Sequence, residues 1–174
     1  MWEEQDEHPA RIGWVALVRE PGEADKWYYG SEIISDETLA FFVKKKQYIG
    51  QLELLAAVIP YYSAPALFVG KRVIHYIDNT SALAGLTKGY SSRVDSAFIV
   101  HSFHGYNAGL QAVVWFEWVA SKANVADGPS RGDSQYVKEV LGATIVKSKL
   151  PPLHSWRAPS EEWCLRGSAQ ASRR

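Results

Sequence analysis

Three acids stand where a carboxylate can do chemistry. Asp78 follows the apolar run Lys71–Ile77 (KRVIHYI) and precedes Asn79-Thr80-Ser81, a natural helix start. A carboxylate at the C-terminal end of a strand opens onto a cleft. Glu53 sits among apolar residues in Gln51-Leu52-Glu53-Leu54-Leu55-Ala56, and Asp127 lies in a polar loop, Asn124-Val125-Ala126-Asp127-Gly128-Pro129-Ser130-Arg131. Carboxylate oxygens are the ligands that hard divalent ions such as Mg²⁺ prefer. Taken singly, each acid has a plain structural reading: Glu53 as a solvent-facing helix acid, Asp78 as an N-cap, and Asp127 as a turn former before Gly-Pro.

The elements that must position these acids follow from patterning. Arg11–Arg19 (RIGWVALVR) and Lys26–Ile34 (KWYYGSEII) are β-branched and aromatic, and Pro21-Gly22 with Glu23-Ala24-Asp25 separates them, which predicts a hairpin. Tyr48, Leu52, Leu55 and Ile59 recur at helical spacing, so Gln47–Ile59 reads as an amphipathic helix that Pro60 ends or kinks. Lys71–Ile77 reads as a buried strand and Asn79–Leu86 as a short helix. Ser92 and Asp95 form the S-x-x-D pattern of a capping box before a helix reaching about Tyr106. Gln111–Val119 (QAVVWFEWV) is a strong strand. Trp115 and Trp118 have odd spacing and so face opposite sides of it, which places at least one in the core. A polar loop, Ala120–Gly132, leads to a last helix around Ser134–Leu141 with Asp133 as N-cap. The order strand, strand, helix, strand, helix, helix, strand, helix is an α/β pattern.

The three acid-bearing segments QLELLAA, YIDNTSALAG and WVASKANVADGPSR resemble the corresponding blocks of the ribonuclease H domain of retroelement reverse transcriptases. Their order agrees, as does their spacing, 25 residues from Glu53 to Asp78 and 49 from Asp78 to Asp127. The likeness spans roughly residues 11–141. It implies a ribonuclease H-like mixed sheet flanked by helices, and Glu53, Asp78 and Asp127 as catalytic metal ligands, with Asp127 on a mobile rim. The implied cofactor is Mg²⁺ (or Mn²⁺), as two ions, which together stabilise the attacking and leaving oxygens of a phosphodiester. The implied reaction is hydrolysis of the RNA strand of an RNA–DNA hybrid, beside an upstream reverse transcriptase domain of the same polyprotein. Asn79, Ser81, Asn124 and Arg131 are the expected substrate contacts, with Asn79, Thr80 and Ser81 reading equally as caps. Lys71-Arg72, Lys88, Arg93 and Lys122 could line a phosphate-binding face.

One part of the pattern is missing. The family's first strand, which carries a fourth acid, has no counterpart before Arg11. Only ten polar residues stand there, and Glu3, Glu4, Asp6 and Glu7 follow no apolar run. The competing expectation is therefore a catalytically inactive ribonuclease H-like remnant that binds nucleic acid or connects domains. A third reading, an unrelated α/β enzyme, has no Gly-rich phosphate loop, nucleophile elbow or metal-ligand histidine spacing behind it. His101 and His104 fall on a helix, with packing or surface roles expected, and Glu117 reads as a surface position on its strand.

The 174 residues suit one domain. Residues 1–10 are expected as a polar N-terminal segment, 11–146 as the ribonuclease H-like domain, and 147–174 as a tail or linker carrying Pro151-Pro152 and Pro159. Formal net charge is zero, which counts against a nucleic-acid role but leaves room for a local basic groove. The single cysteine, Cys164, excludes an internal disulfide and a cysteine-based zinc site. The acidic N-terminus has no secretory apolar region and no run approaches membrane-spanning length, so a soluble intracellular protein with no membrane partner is expected.

Overall fold

The hairpin forms as its patterning requires. Strands β1 (Arg11–Val18) and β2 (Lys26–Ile33) pair antiparallel, with Gly13 opposite Ser31 and Ala16 opposite Tyr28. In the turn the Glu23 N–H donates to the Glu20 carbonyl at 3.1 Å. The computed structural model describes residues 9–43 and 48–150. The acids Glu3, Glu4, Asp6 and Glu7, the run Lys44-Lys45-Lys46, Cys164 and the tail from Pro151 all lie outside the described residues.

A short helix, α1 (Asp36–Phe41), follows the hairpin. Ser35 caps it, its Oγ accepting the Thr38 N–H at 3.3 Å. Six residues are too few to show a helical period, so only the Ser-x-x-Thr start could have signalled it.

Of the two expected effects of Pro60, ending or kinking the helix, the first does not occur: Pro60 lies inside α2 (Ile49–Ser63). A mid-helix proline costs about 3 kcal/mol. The extra turn offsets that cost by burying Tyr61, Tyr62 and Ser63, and each large side chain removed from water contributes about 1.5–3 kcal/mol. Tyr61 packs on Phe68 (ring centroids 4.2 Å apart) and on Phe103 (4.9 Å). Leu55 and Ile59 are core residues as predicted, but the helix is buried from Ala57 through Ser63, so its second half has no solvent face.

Strands β3 (Arg72–Ile77) and β4 (Val113–Trp118) pair parallel, Ile77 beside Trp118. The expectation of a fully buried β3 is overturned. Val73, His75 and Ile77 turn toward the core, while Ile74 (64% exposed) and Tyr76 (57%) face solvent. Neither tryptophan of β4 is core: Trp115 is 68% exposed on the open face, and Trp118, the strand's last residue, is 51% exposed. His75 is held neutral, burial lowering it to about 4, and its Nδ1 lies 3.0 Å from the Tyr61 hydroxyl.

Helix α3 (Thr80–Lys88) starts on Asn79 and ends at Gly89, whose φ of 76° is the left-handed cap geometry. Helix α4 (Val94–Leu110) begins at Arg93 without a side-chain cap, so the Ser92–Asp95 capping box does not form. Asp95 instead points inward, 2% exposed. It accepts from the Val43 N–H (3.1 Å) and from Gln51 Nε2 (3.0 Å), tying α4 to α2 and to the exit of α1. His104 on α4 meets the Leu86 carbonyl at 2.9 Å, and His101 is exposed.

The expected polar loop contains a one-turn helix, α5 (Asp127–Ser130), followed by α6 (Gln135–Glu139), whose N-cap is Ser134 rather than the expected Asp133, although Asp133 Oδ1 accepts the Gln135 N–H at 3.0 Å. The short strand β5 (Thr144–Ile145) lies parallel to β2. Beyond it the chain stays docked: Trp14 Nε1 donates to Ser148 Oγ at 3.3 Å, and the Lys149 N–H donates to Ser63 Oγ at 2.9 Å.

The architecture is mixed α/β, with a three-stranded sheet ordered β1-β2-β5 and a two-stranded sheet β3-β4. The core forms where α2 and α4 meet both sheets, around Ile12, Leu55, Ile59, Val100, Phe103 and Leu110. Among the described residues no strand precedes β1, and no helix is long and apolar enough to cross a membrane.

Candidate functional site

The three predicted acids reach one place from three separate segments. Glu53 projects from the first half of α2, Asp78 stands one residue beyond β3, and Asp127 opens α5. All three line a small cleft of about 50 Å³, together with Arg11, Gly13, Asn124 and Ser130. Asp78 is not the N-cap of α3. That role belongs to Asn79, whose Oδ1 accepts the Ala82 N–H at 3.0 Å.

Glu53 records the crowding. Its carboxyl is held above the usual carboxylate range, first by burial and then by the negative charges of Asp78 and Asp127. A group raised in this way stabilises the fold at low pH, below its unfolded value near 4.5, and that contribution is lost as pH rises through the folded value. Ionised Glu53 is thus a cost at neutral pH. We expect Glu53→Gln to raise the stability of the metal-free protein by up to about 1 kcal/mol, the scale of partly screened charge interactions. Added Mg²⁺ should narrow that gap by stabilising only the Glu53 form. Thermal melts with EDTA and with Mg²⁺ check both, and a destabilised Glu53→Gln would show that the carboxylate repulsion is absent.

The other predicted contacts are split. Asn124 lines the cleft, its Oδ1 accepting the Ala126 N–H at 3.1 Å and shaping the approach to Asp127. Arg131 is exposed and its Nε binds Asp127 Oδ1 at 3.0 Å. Asn79 and Ser81 are not among the cleft's lining residues. Of the expected basic face, Lys71 is ion-paired with Glu20.

Two residues that position Asp127 escaped the sequence reading. Arg11 Nη1 donates to Ser31 Oγ (3.2 Å), which donates to the Pro129 carbonyl (2.7 Å), holding α5 against the hairpin. Gly13 allows the approach, since a Cβ there would sit 2.3 Å from the Ser130 nitrogen and 2.6 Å from the Pro129 carbonyl carbon. Nothing flags Arg11 in the sequence. For Gly13 the only signal is a glycine inside a strand, which often marks close backbone approach. Both obstructing atoms are backbone, so we expect Gly13→Ala to displace α5 and cost about 2 kcal/mol, in the range of overpacking changes. Urea unfolding measures the loss, and a change below the scatter of surface substitutions would contradict the close packing.

The donor chemistry suits a hard divalent cation. The ligand set is not ready-made, however: no group of three or more His, Cys, Asp or Glu side chains among the described residues lies close enough to hold a metal ion. Asp127 is also engaged by Arg131. No family model matches the chain, and no curated protein or solved structure shows significant similarity to it.

Proposed function

We propose that this chain is a ribonuclease H-like domain of retroelement type, and that its carboxylate cleft serves divalent-metal-dependent hydrolysis of the RNA strand of an RNA–DNA hybrid. The observation that carries the reading is the convergence of Glu53, Asp78 and Asp127 on one cleft from a helix, a strand end and a late loop. In this reading Glu53 and Asp78 hold Mg²⁺ or Mn²⁺, two ions in all, and Asp127 joins from the rim after releasing Arg131. The metal supplies Lewis-acid stabilisation of the phosphodiester oxygens. Arg131, once free, and Asn124 meet the substrate backbone, and an upstream reverse transcriptase domain is the partner.

A second reading, a catalytically inactive module that binds hybrid or connects domains, is favoured by the Asp127–Arg131 pair and by the lack of a preformed ligand group among the described residues. One experiment separates the two: incubation of a labelled RNA–DNA hybrid with Mg²⁺ or Mn²⁺ and the full chain. Cleavage of the RNA strand alone supports the enzyme. Binding without cleavage supports the inactive module, and neither binding nor cleavage overturns both the enzyme and the hybrid-binding module.

A further inference from the structure

The outward face of the β3–β4 sheet is apolar at its centre and carries one charge of each sign near its ends. Register sets Arg72 beside Val113, Ile74 beside Trp115 and Tyr76 beside Glu117, and all six are exposed. None of them lines the acid cleft. Large side chains standing singly at a surface are ordinary, but contiguous apolar patches mark binding surfaces. Here Ile74, Tyr76, Val113 and Trp115 are each between 57% and 68% exposed. The six side chains together present on the order of 700 Å², close to the 800 Å² or so per partner of a standard specific interface.

The face is also held ready. Trp115 Nε1 donates to Glu117 Oε2 at 3.2 Å, which orients the indole, and a side chain already oriented loses less freedom on binding. Glu117 Oε1 accepts the Trp118 N–H at 3.1 Å. Val113 and Val119 donate to β3, so the Trp118 N–H, out of phase with them, points off the outer edge of β4. Glu117 thereby occupies that edge position, and a blocked edge disfavours strand-to-strand pairing. The surface left for a partner is the face, not the edge.

We propose that this face docks on the same face of a second copy, forming a symmetric dimer by sheet-on-sheet packing. Three observations select a second copy. First, Arg72 and Glu117 lie at diagonally opposite corners, so the face is complementary to itself across a two-fold axis. With the strands of the two copies antiparallel, Ile74 and Trp115 stack on their own counterparts. Each Arg72 then lies to one side of the other copy's Glu117 by one strand spacing, about 4.8 Å, within reach of a guanidinium. Second, neither Arg72 nor Glu117 has an ion-pair partner among the described residues. Third, the chain's formal net charge is zero, so its copies do not repel one another. One arginine balanced by one glutamate supplies no excess of cations for a phosphate backbone, which sets nucleic acid aside as the occupant. This inference does not rest on the chemistry proposed for the carboxylate cleft.

Sedimentation velocity on the full chain, across concentrations from about 2 to 200 µM, should show a monomer–dimer equilibrium, the weak end of what interfaces of this area give. Arg72→Glu and Glu117→Arg should each raise the dissociation constant at least about tenfold, since each sets two pairs of like charges against one another. An equimolar mixture of these two variants should dimerise again, because each copy then supplies the charge that the other lacks. Loss of fold in either variant would not produce that recovery. Hydroxyl-radical footprinting should protect Trp115 and Tyr76 only where the dimer is populated. A monomer at the highest concentration, charge reversals that leave the dimer intact, or a mixture that stays monomeric overturns the inference. So does protection of Trp115 in the monomer, which would assign the face to another segment of the same chain.

Discussion

Asp78→Asn should abolish metal-dependent cleavage of an RNA–DNA hybrid, lowering the rate at least about 100-fold without lowering the melting temperature, because it also relieves the repulsion on Glu53. The size follows from removing a charged ligand in a low-dielectric site, where loss of one electrostatic contact to the reacting group costs about 2.7–4 kcal/mol of barrier. The selectivity follows from the fold. Asp78 is half-buried at the end of β3, and the capping work beside it is done by Asn79. A purely structural Asp78 would instead shift stability without a specific effect on cleavage. Rates measured across a Mg²⁺ titration, paired with thermal melts, distinguish the two. Full activity in Asp78→Asn would exclude this acid from the chemistry.

Asp95→Ala should be the most destabilising change outside the hydrophobic core, costing about 4 kcal/mol. The carboxylate is 2% exposed and accepts from the Val43 N–H, Gln51 Nε2 and the Ser96 N–H. Each buried donor left without a partner costs about 1–3 kcal/mol, and more where the acceptor was charged. Urea unfolding measures the effect, and amide exchange at Val43 should accelerate with it. A loss under about 1 kcal/mol would reduce Asp95 to the capping role that its sequence pattern suggested.

Asp95 also shows where local reading stops. Ser92-x-x-Asp95 before an apolar run is the expected start of a helix, and the helix does start there. The pattern could not report that the exit of α1, 52 residues earlier, and α2 would deliver Val43 and Gln51 to that carboxylate. Pro60 is a similar case. Its effect on an isolated helix is a stop, but burial of the following tyrosines outweighs the missing hydrogen bond. Exposure of Trp115 and Trp118 was equally invisible, because alternation assigns faces without stating whether anything covers them.

What the sequence determined by itself was local or periodic: the hairpin, the helices α2, α3 and α4, the strands β3 and β4, and the identity and order of Glu53, Asp78 and Asp127. These follow from propensity, turn chemistry and spacing, which act over a few residues. The tertiary structure alone decided that the three acids line one cleft, that Gly13 and Arg11 seat the turn bearing Asp127, and that Arg131 occupies that acid. It also decided that Ile74 and Trp115 stand side by side on an exposed face. Those outcomes depend on contacts between residues far apart in the chain, where packing and charge act together and no short window of sequence contains both partners.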